Sequence, residues 1–204
     1  MNISEILAIA SGVVYIFAFL DYNLKVVQRL TKPNGTAWFI WSIISAVSIT
    51  SYLKMSGDAW KSVIPLLNIL LCVATFLLAV TLKKFRWPDK WDLIALGLGI
   101  FATVVWKHYD SAKYANLIVQ LAILAGFVPL WRMLRVDPEI EQPRPWLIWS
   151  FGYILATIVV ILRWKGQWYD LVYPINCIIL HSSVPILGLM IRRIKTQRKE
   201  IYDN

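Results

Sequence analysis

Seven stretches of mainly apolar residues, separated by short polar segments, run through the chain. A helix that crosses a membrane needs about 20 such residues. The fourth stretch holds about 14 apolar residues between Asp92 and Lys107, a length that also fits a re-entrant segment. The pattern predicts an all-α integral membrane protein with seven transmembrane helices, at residues 3–20, 38–53, 63–82, 93–106, 117–134, 146–162 and 172–191.

The first stretch differs from a secretory signal peptide. It begins with Met1, Asn2 and Glu5 rather than a basic segment, and no small-residue cleavage site precedes Asp21. We therefore interpret it as a permanent helix.

Composition supports a membrane protein, because 58% of the 204 residues are hydrophobic and only 16% are charged. Cys72 and Cys177 both lie in apolar stretches, and no metal-ligand spacing surrounds them. We expect no disulfide, metal site or cofactor.

The basic residues are distributed unevenly between alternate loops. Fifteen of the 21 Lys and Arg residues fall in the first, third and fifth loops and the C-terminal segment, and six fall in the other loops. Basic loops stay in the cytoplasm, so the N-terminus is expected outside and the C-terminus inside a cell (inner) membrane. The net charge of +9 then reflects orientation in the lipid bilayer, and no nucleic-acid partner is expected.

An internal repeat relates the two ends of the chain at an offset of 108 residues. Residues 38–42, with the sequence WFIWS, correspond to residues 146–150, with the sequence WLIWS. Further pairs follow in the same order at an offset of 108 or 109: Lys54 with Arg163, Gly57 with Gly166, Trp60 with Trp168, Pro65 with Pro174 and Asn68 with Asn176. This shared order makes a chance match implausible.

The repeat predicts the organisation of the chain. Two three-helix repeats, residues 1–82 and 109–191, flank a linker helix at 83–108, and a basic cytoplasmic tail follows at 192–204. One helix between the repeats gives both the same orientation, so the predicted pseudo-two-fold axis lies along the membrane normal.

This layout resembles the SWEET sugar transporters and the wider PQ-loop (MtN3-like) superfamily, with the KDEL receptors and the similarly built PnuC vitamin transporters. Asn68 and Asn176 occupy the third helix of each repeat, where SWEET proteins carry an asparagine pair that holds the substrate. Pro129 and Pro145 fall where that family has hinge prolines. The resemblance implies transport by alternating access.

Polar residues inside the apolar stretches are the candidate site. An amide has two donors and two acceptor lone pairs, so Asn68 and Asn176 suit a neutral polar solute if they converge near the axis. Ser45 and Tyr153, which are equivalent at the offset of 108, are further candidates. The alternative for the asparagines is hydrogen bonding between helices.

Asp21 and His181 are the candidates for proton coupling, since an ionisable residue within a membrane is often functional. The alternatives are an interfacial pair of Asp21 with Lys25 and a packing role for His181. The acidic loop 137–141 is interpreted as a solvated connector. The tryptophans near the helix ends, among them Trp38, Trp41, Trp146 and Trp149, are interpreted as aromatic belts.

These features favour a facilitator that moves a small neutral polar solute, such as a sugar or vitamin. A receptor, sensor or assembly subunit without transport is the alternative. No enzyme is expected, because the sequence has no H-E-x-x-H or G-x-S-x-G motif. A homo-oligomer is compatible with the sequence.

Overall fold

The computed structural model describes the backbone of residues 1–203 and the side chains of residues 1–197. Within this part the chain is all-helical, and six of its helices are long and apolar enough to cross a membrane. They indicate a multi-pass membrane protein. The side chains of the predicted tail from Arg198 onward lie outside the described residues. The long helices are α1 Ile3–Val27, α2 Gly35–Ser56, α3 Val63–Thr81, α4 Lys90–Tyr109, α5 Ala112–Val136, α6 Pro143–Leu162 and α7 Val172–Asp203.

Local sequence signals account for the helix ends. Asn2 with Glu5, and Asp89 with Asp92, form capping boxes that satisfy free N–H groups at the starts of α1 and α4. α2 ends at Ser56 and is followed by Gly57, whose φ of 60° lies in the left-handed region that glycine adopts readily. Short 3₁₀ turns, Trp60–Ser62 and Trp168–Leu171, lead into α3 and α7.

Contacts between loops group them at two ends of the helix bundle. At the end that we call the basic end, the Lys32 N–H donates to the Ile140 carbonyl and the Gly35 N–H donates to the Lys84 carbonyl. At the other end, which we call the ion-pair end, Arg163 bonds both Asp58 and Ser4. The first, third and fifth loops thus meet at the basic end, and the N-terminus lies at the ion-pair end.

α4 connects these two ends. It follows the basic-end segment 82–89, and just beyond it Lys113 lies 5.6 Å from the ring centre of Tyr169 at the ion-pair end. At 20 residues, the helix rises about 30 Å, so α4 runs the length of the bundle instead of turning back. Its hydropathy leaves it outside the six candidate spans.

Helix packing follows a recurring pattern. α3 packs against α1 and α2, and α7 packs against α5 and α6 in the same way. The two groups meet through α1 with α6 and through α2 with α5, while α4 lies against α5 and α2. A cavity between these groups is therefore bordered by six helices.

Aromatic side chains form the centre of the bundle. Trp38, Trp146 and Trp149 are buried, and Trp41 is partly buried against them. The rings of Trp38 and Trp41 are 4.9 Å apart and those of Trp146 and Trp149 are 5.0 Å apart, both edge to face. The interpretation of these four residues as aromatic belts is wrong, because their helix faces point inward, where the rings pack on one another.

Candidate functional site: a central aromatic cavity

A cavity of about 40 Å³ lies at the centre of the bundle, between the first three helices and the last three. Its walls are mainly aromatic rings. Many of the lining residues come in pairs separated by 108 positions, so equivalent parts of the repeat face each other. The pairs are Tyr15 with Ile123, Phe19 with Phe127, Trp38 with Trp146, Trp41 with Trp149, and Ser45 with Tyr153.

The third helix of each group is related by 109 residues rather than 108. α3 begins at Val63 and α7 at Val172, and each has a proline as its third residue, Pro65 and Pro174. Prolines in the first turn are typical of helix starts. At this offset Asn68 corresponds to Cys177, and both line the cavity.

Asn176 does not line this cavity with Asn68. Its amide nitrogen lies 3.3 Å from the Gln120 carbonyl oxygen and 3.2 Å from Gln120 Oε1, in the contact between α5 and α7. One residue along a helix turns the side chain by about 100°, so the extra residue before α7 directs Asn176 away from the axis. The expectation that the two asparagines converge near the axis is therefore wrong for this conformation.

The other three predicted polar residues come together. Tyr15 Oη donates to Asn68 Oδ1 at 2.7 Å, and Asn68 Nδ2 donates to Ser45 Oγ at 2.8 Å. Tyr15 Oη also lies 2.9 Å from Tyr153 Oη, which extends the chain of hydrogen bonds to the opposite group of helices. The oxygen and the nitrogen of the Asn68 amide are thus each hydrogen-bonded within the protein in this conformation.

Three ring nitrogens next to the cavity are free of hydrogen bonds. The buried indole N–H groups of Trp41 and Trp149 have no hydrogen-bond partner among the described residues. His181 Nδ1 lies 2.8 Å from the Cys177 carbonyl oxygen, which accepts only, so Nδ1 carries the proton and Nε2 is an acceptor in the neutral ring. The ring centres of Trp149 and His181 are 5.8 Å apart.

His181 was a candidate for proton coupling, and its surroundings are aromatic. The rings of Phe127, Trp146, Trp149 and Tyr153 lie 5.0–5.8 Å from it. This environment matches the packing alternative.

Asp21, the other candidate for proton coupling, lies at the basic end. Its carboxylate is 2.8 Å from Lys25 Nζ and 3.7 Å from Arg144 Nε. This geometry corresponds to the interfacial ion pair that the sequence left as an alternative.

The predicted hinge prolines both lie in regular helix. α5 continues without interruption through Pro129, and Pro145 is the third residue of α6. Both are buried. Their role as hinges stays a prediction.

Two ion pairs close the ion-pair end of the bundle. Lys61 and Asp170 are fully buried, with Nζ 2.7 Å from Oδ2. Arg163 Nε donates to Asp58 Oδ2 at 2.7 Å. Burial alone would raise the pKa of Asp58, but the hydrogen bond and charge of Arg163 outweigh it and hold that pKa below its usual value. Each pair joins the first three helices to the last three.

A buried carboxyl group lies at the basic end. Glu141 accepts hydrogen bonds from Trp146 Nε1 at 3.1 Å and from Tyr22 Oη at 3.3 Å. Burial raises its pKa to about 8. The interpretation of this loop as a solvated connector is wrong for Glu141, since the chain folds back over the ends of α1 and α6. Its sequence position in an acidic loop carries no signal of this burial.

The function of this chain has to be inferred from the geometry of the site. No family model, curated protein or solved structure matches this chain.

Proposed function

We propose that this protein is a membrane facilitator that moves a small uncharged solute by alternating access between two three-helix repeats joined by α4. The observation that carries the proposal is the central cavity, which lies on the boundary between the two groups of helices and is lined by equivalent residues from each. In carriers built from repeats, the solute site lies at such an interface.

The closures at both ends support this mechanism. At the ion-pair end, Lys61–Asp170 and Asp58–Arg163 each join one group of helices to the other. At the basic end, Tyr22 of α1 and Trp146 of α6 both bond Glu141. Rocking one group of helices against the other would break the contacts at one end and keep those at the other.

The volume indicates a closed conformation. A cavity of about 40 Å³ has room for a few water molecules, whereas small-molecule sites usually span about 300–1,000 Å³. Loading a solute therefore requires the aromatic walls to separate. A relative displacement of the two groups of helices would produce this.

The walls favour a flat solute with few polar groups. No Asp, Glu, Lys or Arg among the described residues lines the cavity, so its lining suits an uncharged molecule. Aromatic rings offer stacking faces, while the Trp41 and Trp149 N–H groups offer two donors and His181 Nε2 offers one acceptor. A sugar has many hydroxyls to satisfy, and the Asn68 amide is already bonded. Among neutral solutes, a vitamin-like heterocycle fits better.

A thermal-shift screen tests this proposal, because a ligand that binds the folded state raises its apparent stability. The purified protein would be heated with panels of sugars, nucleosides, vitamins and amino acids. We expect stabilisation by flat heterocycles. Trp149→Phe, which removes the N–H but keeps a ring, should weaken the response, and Trp87→Phe at an exposed position should leave it unchanged. Equal responses in all three proteins would contradict the site.

Transport distinguishes a facilitator from the alternative, a receptor or assembly subunit. The stabilising compound, radiolabelled, would be exchanged across proteoliposomes containing the protein. We expect exchange above that of empty liposomes. Binding without exchange would support a receptor and reject the facilitator.

A further inference from the structure

Glu141 lies where the central cavity approaches the basic end. A small cavity of about 10 Å³, bordered by Tyr22, Trp38, Trp146 and Glu141, shares its tryptophans with the central cavity. A second one of similar size, lined by Leu134 and Pro185, also borders Glu141. Glu141 therefore borders two gaps in the packing at this end.

The charged groups around Glu141 are occupied elsewhere. On α7, Arg192 borders the second small cavity but donates to the Pro138 carbonyl and pairs with Glu139 at 2.9 Å. On α1, Asp21 and Lys25 pair with each other, and Arg144 of α6 faces Asp21.

Among the described residues, no charged side chain forms a hydrogen bond or ion pair with Glu141. The Lys32 side chain pairs with Asp137. The groups that contact the carboxyl are the neutral side chains of Tyr22 and Trp146.

We propose that Glu141 is a proton-binding site whose protonation closes the basic end and whose ionisation opens it, so that proton release accompanies opening of the cavity. This inference rests on the proposed function, since it assigns a coupled proton to the same carrier.

The chemistry follows from burial. A neutral carboxylic acid is stable beside Tyr22 and Trp146, whereas an ionised carboxylate without a cation requires water. Because Trp146 borders both the central cavity and Glu141, admitting water to the carboxylate displaces the ring that closes the cavity. The proton passes to water and returns from it, with no change in oxidation state. The elevated pKa of about 8 places this exchange near neutral pH.

The two cysteines of the chain report the opening directly. Cys72 and Cys177 line the central cavity and are buried. A charged, water-soluble methanethiosulfonate reagent reaches them only when water does. The purified full-length protein would be labelled at about pH 6 and about pH 9, on either side of the pKa, and the adducts counted by mass spectrometry.

The glutamine variant separates opening from thiol chemistry. Thiols react faster at higher pH in every protein, so the increase in cysteine labelling between the two pH values must be compared with that of a control. Glu141→Gln is this control, because glutamine mimics the protonated acid. We expect the wild-type increase to exceed that of Glu141→Gln by about threefold or more, as a shift toward open molecules requires. Glu139→Gln, in the same loop and exposed, should behave as the wild type.

A second variant keeps the proposal testable if Glu141→Gln folds poorly. Tyr22→Phe removes a donor that stabilises the charged form, so the midpoint of the labelling profile should move to higher pH. The proposal would be overturned if labelling increased equally with pH in the wild type and in Glu141→Gln. It would also be overturned if the midpoint of the labelling profile were the same in Tyr22→Phe as in the wild type. If the solute still stabilised the wild type and both variants, the proposed facilitator function would be retained and only the proton site rejected.

Discussion

Lys61 and Asp170 form a fully buried ion pair between the 3₁₀ turns that precede α3 and α7, with Nζ 2.7 Å from Oδ2. The two residues are 109 positions apart, the same offset that relates the starts of α3 and α7. Opposite charges thus occupy equivalent positions of the repeat and meet each other. Tyr52 adds a hydrogen bond from its hydroxyl to the Asp170 carbonyl at 2.8 Å.

Removing one partner of this pair should destabilise the protein strongly. Lys61→Met leaves Asp170 as an uncompensated buried charge, and such a change costs about 3–5 kcal/mol. Thermal unfolding in detergent measures it.

The double variant Lys61→Met with Asp170→Leu should recover much of that loss, because both charges disappear together. Lys32→Gln, in the exposed pair with Asp137, is the control and should change stability by at most about 1 kcal/mol. A single variant as stable as this control would show that the pair is not buried in the folded protein.

The positions of the helices could be predicted from the sequence, whereas the faces that they bury could not. Hydropathy located every helix, because apolar length alone decides whether a segment can cross a membrane. It does not tell lipid from protein core, since both are apolar, and so Trp38 and Trp146 were assigned to the membrane interface although they lie at the centre.

The candidate site was predictable only as far as the register was known. Asn68, Ser45 and Tyr153 all line the central cavity. A one-residue insertion before α7 placed Cys177 where Asn176 was expected. Glu141 was missed because its burial comes from the fold of a loop over two helix ends, which no local pattern records.

The orientation in the membrane is a separate prediction, based on the basic loops. Lys165 and Lys90 are exposed at opposite ends of the bundle. A cysteine at position 165 should react with an impermeant maleimide in intact cells, and one at position 90 only after permeabilisation. The unaltered protein, whose own cysteines are buried, gives the background. The reverse labelling pattern would place the N-terminus inside.

Gly126 allows Trp41 to pack against α5. A methyl group at this position would lie 2.5 Å from Trp41 Nε1, closer than any van der Waals contact. Gly126→Ala should therefore displace the Trp41 ring, destabilise the protein by about 1–3 kcal/mol and reduce ligand-induced stabilisation. Gly97→Ala on α4, where a methyl group meets no atom within 4 Å, is the matched control. Unfolding curves for the two variants that coincide would show that Trp41 is free to move.

The two asparagines should differ in function because the structure gives them different neighbours. Asn68→Ala removes the acceptor of the Tyr15 hydroxyl and the donor to Ser45, so it should loosen the cavity wall and reduce stabilisation by the solute. Asn176→Ala removes the bonds to Gln120 between α5 and α7. It should lower stability by about 0.6–2 kcal/mol, as for other hydrogen bonds between membrane helices, and leave the solute response intact. Thermal shifts with and without the solute measure both effects on the same samples. A solute response that is lost equally in both variants would mean that Asn176 reaches the site in the open conformation. A response retained in full in Asn68→Ala would show that the hydrogen bonds of this amide do not shape the binding site.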